Sequence, residues 1–156
     1  MKKNYGKDFE SHFKADWKET FPGQFILRLK DDTSGYYGNS SNPCDFLTHV
    51  DTTLFMLEVK CHYGNTFPWS DFSQYDELIK YKGLKNVQIG LIVWFIDHDS
   101  IIFVDIDTIT KMKNDGMKSI NRRLIDQQGY KYTEIPSVKK RVFLKSDYSC
   151  MREFIL

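Results

Sequence analysis

The sequence contains no apolar run approaching the ~20 residues that a membrane-spanning helix needs, and no internal repeat, low-complexity tract or linker. A helical membrane protein is therefore excluded. Cysteine is scarce. The three thiols, Cys44, Cys61 and Cys150, are odd in number and match neither a disulfide framework nor a paired C-x-x-C zinc site. Reduced thiols are expected: Cys44, Cys61 and His62 have no evident fourth partner for zinc and read as semi-buried side chains. Charge of one sign is also lacking, because 22 basic and 21 acidic residues leave a net charge of +1. Any binding to nucleic acid must then come from a local basic patch rather than from a bulk field. The opening Met1-Lys2-Lys3 runs into a charged amphipathic segment instead of an apolar core, so no secretory signal is read and a cytoplasmic location is expected.

What is present suits an ordinary globular chain: 156 residues, 41% hydrophobic and 28% charged, read as one domain over 1–156. Phe9, Phe13 and Trp17 recur at i, i+4 and i+8, predicting an amphipathic helix from about Gly6 to Glu19 that Pro22-Gly23 ends. Gln24–Leu29 reads as a strand, and Asp31–Pro43 as a polar loop whose sequon at Asn39 has no meaning in a cytosolic chain. Asp45–Val50 and Thr53–Cys61 flank Asp51-Thr52 as a hairpin. A helix over Phe72–Tyr81 follows. Val87–Ile96 and Ser100–Ile106 are β-branched and apolar enough to be the most buried strands. Thr108–Gln127 reads as a helix, Tyr130–Ile135 and Arg141–Leu144 as edge strands, and Asp147–Phe154 as a closing helix. The resulting order, α-β-β-β-α-β-β-α, is that of a mixed α/β domain.

The hairpin carries the chemistry. In a symmetric two-residue hairpin centred between residues 51 and 52, Asp45 faces Glu58, with Cβ atoms roughly 5 Å apart. Like charges so placed are destabilising unless something neutralises them. Strand alternation puts Lys60 on the face of Glu58, while Phe55, Leu57 and Val59 point the other way. Two carboxylates and an ammonium on one face suit Mg²⁺, which takes one or two carboxylates, several waters and substrate phosphate oxygens. Phosphodiester hydrolysis is the natural reaction for such a set. A Glu-x-Lys triplet alone arises by chance about once in a chain of this length; the facing Asp and the apolar opposite face give it weight. In the first helix both Glu10 and Asp16 lie on edges of the apolar stripe, and either can serve the site.

The ordered set Asn42-Pro43-Cys44-Asp45 followed by Glu58-Val59-Lys60 resembles the split signature of the PD-(D/E)xK nuclease superfamily. Gly6-Lys7-Asp8-Phe9-Glu10, Ser34-Gly35-Tyr36, Asn65-Thr66-Phe67-Pro68, Ser73-Gln74-Tyr75-Asp76 and Lys118-Ser119-Ile120-Asn121 narrow it to RecU-type Holliday-junction resolvases. The likeness is closest to the short forms carried by phages of Gram-positive bacteria. It implies a nuclease-like core with a mixed β-sheet flanked by helices, and a homodimer that cuts four-way DNA junctions by paired nicks in recombination and repair, in the host-cell cytoplasm if phage-encoded. It also implies Mg²⁺, for which Mn²⁺ substitutes, held by Asp45, Glu58 and the Val59 carbonyl. By position, Glu10 completes the metal environment, Lys60 is the catalytic lysine and Gln74 a helix-borne polar residue beside the site. The sequence departs from the family at Pro43-Cys44, where hydroxyl residues are usual, and in the length of the central stalk, here reduced to 31–42. Lys111, Lys113, Lys118, Arg122 and Arg123 crowd one stretch read as helical and are the expected DNA contacts. Tyr36, Tyr37 and Trp69 flank the site and are candidates for stacking on bases. The competing readings are a sequence-specific or nicking endonuclease on the same fold and a non-catalytic junction-binding protein.

Overall fold

The computed structural model describes residues 5–29 and 42–156. The Asp31–Pro43 loop expectation falls largely on 30–41, outside the described residues, together with Ser34-Gly35-Tyr36, Tyr37 and the sequon.

Helix α1 (Tyr5–Thr20) forms where the aromatic stripe predicts it and buries Phe9, Phe13 and Trp17. A six-stranded sheet follows the order β1-β2-β3-β5-β6-β8. Its strands are β1 (Ile26–Arg28), β2 (Phe46–Val50), β3 (Thr53–His62), β5 (Val87–Phe95), β6 (Ser100–Asp105) and β8 (Thr133–Glu134). β3 and β5 are parallel and all other neighbours antiparallel, which makes the sheet mixed. The central strands are buried on both faces, hence their nearly unbroken apolar runs.

Each face of the sheet has its own core. α1 packs Phe13 and Trp17 against Phe46, Phe55 and Val59 on one face. On the other, α3 (Ile106–Asn114) packs Ile109 and Met112 with Met56, Leu91 and Val104. Phe55, Leu57 and Val59 thus point to the α1 core as alternation requires, and Glu58 and Lys60 share the second face with Met56. Gly90 marks a close approach within the sheet: a Cβ there would meet the Phe103 ring at 2.3 Å and the Val104 carbonyl at 2.8 Å. Only glycine lets β5 pass under Phe103.

The helix predicted over Thr108–Gln127 is not one helix. Asp105 accepts a hydrogen bond from Thr108 N (2.7 Å) and caps α3 at its start, so the helix begins at Ile106 and ends at Asn114. Gly116, at φ +86°, then turns the chain. Beyond it β7 (Ser119–Asn121) pairs antiparallel with β4 (Thr66–Pro68), a strand the sequence did not suggest, and α4 (Ile125–Gln128) is a single turn. The basic residues of this region therefore do not share one helical face. The stretch Phe72–Tyr81 contracts to α2 (Tyr75–Leu78) and a turn of 3-10 helix, and the closing helix is 3-10 over Ser149–Phe154. β9 (Ser137–Lys139) and β10 (Leu144–Ser146) form a separate hairpin packed on α1. Among the described residues no helix is long and apolar enough to cross a membrane.

Candidate active site

Phe46 pairs with Leu57 and Val50 with Thr53, so the ladder is symmetric about residues 51 and 52 and its next rung sets Asp45 opposite Glu58. The backbone locks that rung: Asp45 N donates to the Leu57 carbonyl (3.2 Å), and Leu29 N to the Asp45 carbonyl (2.8 Å). β3 runs on past the start of β2, which would leave its edge unpaired, but Asp45 Oδ2 accepts the Val59 N–H (2.9 Å) and extends the ladder with a side chain.

Glu58 is fully buried, at 0% exposure, and among the described residues neither carboxylate oxygen accepts a well-aligned hydrogen bond. Lys60 Nζ lies 3.0 Å from Oε1 as an ion pair. Burial, and then the charge of Asp45, push the Glu58 carboxyl up to about 8 against the pull of Lys60. Burial works against the Lys60 charge, but Glu58, Asp45 and Glu10 together outweigh it and hold the ammonium above its usual range. Cys44 is buried beside the pair, donates to the Phe46 carbonyl (3.4 Å), and is pushed up to about 12 by burial, Glu58 and Asp45. It is an inert thiol.

The structure separates the two helix carboxylates. Glu10 accepts Nε (3.0 Å) and Nη2 (3.3 Å) of Arg28, and the same Nη2 lies 3.3 Å from Asp45 Oδ1. Asp16 instead accepts Lys145 Nζ and Ser146 N, each at 2.9 Å, and ties α1 to β10. Glu10 is thus the one joined to the cluster. Arg28 was missed from the sequence. It is the lone charge in the run from Gln24 to Leu29, but its place beside Asp45 depends on the pairing of β1 with β2, whose registers no local pattern relates.

Gln74 precedes α2, and its amide oxygen accepts from Ser73 Oγ (3.4 Å); among the described residues no hydrogen bond or ion pair joins it to Asp45, Glu58 or Lys60. Val59 is held between Asp45 and its β5 partner Ile92. Trp69 Nε1 donates to the Met117 carbonyl (2.7 Å), and Lys113 lies over Trp69 (5.7 Å) and Tyr75 (4.3 Å). Lys111 is paired with Asp115, and Arg122 with Glu134 and Ser100, whereas Lys118 and Arg123 are exposed. All three cysteines are free.

A cleft of about 520 Å³ lies elsewhere, between α1 and the β9–β10 hairpin, where Asp16, Glu19 and Lys145 satisfy one another. Among the described residues no three His, Cys, Asp or Glu side chains enclose a metal position; Cys61 packs on the α1 core and Cys44 lies in the core of the other sheet face. What the cluster offers is two facing carboxylates, one of them buried with Lys60 as its ion-pair contact among the described residues. That donor set fits a hard divalent cation completing its shell with water and phosphate oxygens.

No protein-family model matches the chain. No curated protein matches it either. Among solved structures it is similar to Hjc, a Holliday junction resolvase from the archaeal hyperthermophile Archaeoglobus fulgidus. The two are 16% identical over 66% of this chain and 78% of that one, with a TM-score of 0.50. A nuclease from a fusselovirus aligns over 90% of this chain and 79% of that one at 9% identity and a TM-score of 0.37, too low to carry an argument. The likeness to Hjc is one of fold: a mixed sheet flanked by helices, as in that resolvase.

Proposed function

We propose that the chain is a metal-dependent DNA endonuclease, and a junction resolvase of RecU type in particular. The observation that carries this reading is Glu58, a fully buried carboxylate that faces a second carboxylate, Asp45, and among the described residues has Lys60 as its ion-pair contact and no well-aligned hydrogen bond. A purely structural site has no reason to keep that arrangement, since an unsatisfied buried polar group costs about 1–3 kcal/mol and more when charged. The Hjc-like fold supports the nuclease class, and the residue likeness to RecU supports the branched substrate.

In this reading Asp45, Glu58 and the Val59 carbonyl hold Mg²⁺ or Mn²⁺, and Glu10 completes the environment. Such an ion polarises a phosphate and lowers the pKa of a water. Lys60, balanced on Glu58 in the free protein, is placed to orient the attacking water or stabilise charge on the phosphate. Lys113, Lys118 and Arg123 hold the DNA backbone, and Gln74 lines the approach. Paired nicks on a four-way junction need two sites related by a two-fold axis, so a homodimer is the expected form.

The test is cleavage of a labelled four-way junction and a matched linear duplex with Mg²⁺, wild type against Asp45→Asn. Symmetric nicking of the junction alone, lost in the variant, supports the whole reading. Cutting of both substrates keeps the nuclease and removes the junction preference, in favour of a sequence-specific or nicking enzyme. Binding without cutting makes the chain a junction-binding protein.

A further inference from the structure

The cluster contains a cation outside the proposed chemistry, Arg28. Arg28 bonds both oxygens of Glu10, and its Nη2 also lies 3.3 Å from Asp45 Oδ1. Its Nη1 contacts the Leu29 carbonyl and lies 3.4 Å from that of Asp45, and the guanidinium sits 5.6 Å over the Phe46 ring. β1 fixes the arrangement, because Arg28 pairs with Phe46, the residue after Asp45.

Asp45 is thereby occupied on both oxygens, Oδ2 by the Val59 N–H and Oδ1 by Arg28. The Val59 bond leaves a lone pair on Oδ2 and belongs to the sheet, so it need not change. The Arg28 contact is different in kind: it places a full positive charge on the carboxylate that a divalent cation between Asp45 and Glu58 would share. Two cations sharing one carboxylate repel each other, and a double charge about 5 Å from a single one is worth roughly tenfold in affinity even at water-like screening. Without that positive charge, Lys60 remains among the described residues as a cation near Glu10, Asp45 and Glu58.

We propose that Arg28 is a positioning residue that stands in for the metal: it neutralises Asp45 and Glu10 in the metal-free protein and leaves Asp45 when a divalent cation binds. This rests on the metal-site reading above. Arg28 then does two opposed things. It keeps the carboxylates assembled before loading, and it sets a threshold concentration below which the site stays unloaded. A lysine in its place keeps the charge but loses the fork that holds Glu10 and Asp45 together.

The test uses Mn²⁺ as probe and binding rather than cleavage as readout, with free Mn²⁺ followed by its paramagnetic resonance signal. Arg28→Gln is expected to bind Mn²⁺ about tenfold more tightly than the wild type. In EDTA it should melt at a lower temperature, and it should gain more in Tm on adding Mn²⁺. Arg28→Lys should bind near the wild-type affinity. In the wild type, the arginine Nε–H resonance that disappears in Arg28→Lys should shift on saturation with Mg²⁺, a measurement that does not depend on the glutamine variant folding. Equal or weaker Mn²⁺ binding by a folded Arg28→Gln, or an Nε–H signal that Mg²⁺ does not move, overturns the proposal. Failure of the underlying reading looks different: Asp45→Asn would then bind Mn²⁺ as well as the wild type does.

Discussion

Asp16 and Glu58 are both buried carboxylates, at 4% and 0% exposure, yet their surroundings are opposite. Asp16 receives Lys145 Nζ on one oxygen and Ser146 N on the other, and so fastens α1 to β10. Among the described residues Glu58 accepts no well-aligned hydrogen bond, faces a second carboxylate and touches one ammonium. Burial alone therefore does not mark a functional acid. What marks it is burial without a well-aligned hydrogen bond, because such a group must be neutralised by a proton or by a cation that comes and goes.

The comparison breaks most visibly in activity. Glu58→Gln and Asp45→Asn are expected to lower junction nicking by at least about a hundredfold, consistent with loss of a transition-state contact or metal ligand, while circular dichroism shows the fold intact. Asp16→Asn should leave the nicking rate per folded molecule unchanged. In urea the order reverses. Asp16→Asn should cost about 2 kcal/mol, because its replacement cannot satisfy both Lys145 and Ser146 N, whereas metal-free Glu58→Gln should be no less stable than the wild type at pH 8.

The pH dependence sharpens the contrast further. Glu58 has a folded-state value of about 8 against 4.5 for the free group, so between those values the native state holds its proton more tightly than the unfolded chain does. Its contribution is fully present below about pH 4.5 and is lost as the pH rises through about 8. In that window the metal-free protein should lose up to about 1.4 kcal/mol of stability per pH unit, a slope that denaturation of Glu58→Gln should lack. Saturating Mg²⁺ should flatten it as well.

The smallest effects are expected among the basic residues, where the same distinction applies. Lys111 and Arg122 are already paired with acids, while Lys118 and Arg123 are exposed and have no ion pair among the described residues. Substituting Lys118 or Arg123 by Ala should reduce the salt dependence of DNA binding by about one counterion each. The same change at Lys111 should reduce it by less.

How far the sequence could be read follows from how local each signal was. α1 rests on an aromatic stripe within one helix, and β5 and β6 on unbroken apolar runs. The Asp45–Glu58 opposition rests on a two-residue turn whose register is arithmetic. All are decided within about a dozen neighbouring residues. The stretch after α3 misled because its charged and polar residues are good helix formers, while Asp115-Gly116 and the pairing of Ile120 with Phe67 across 53 positions break the helix. Lys111 consequently lies on α3 and Arg122 just beyond β7.

By itself, then, the sequence determined the hairpin, its facing carboxylates, the face that Lys60 shares with Glu58, and the two faces of the central strands, because side-chain alternation and turn length are short-range properties. Only the tertiary structure decided that Glu10 and not Asp16 meets the cluster, that Arg28 lies between Glu10 and Asp45, and that Glu58 is fully buried. Each of these depends on which element packs at the open edge of β3, and that is settled by the burial of a whole core rather than by any one segment.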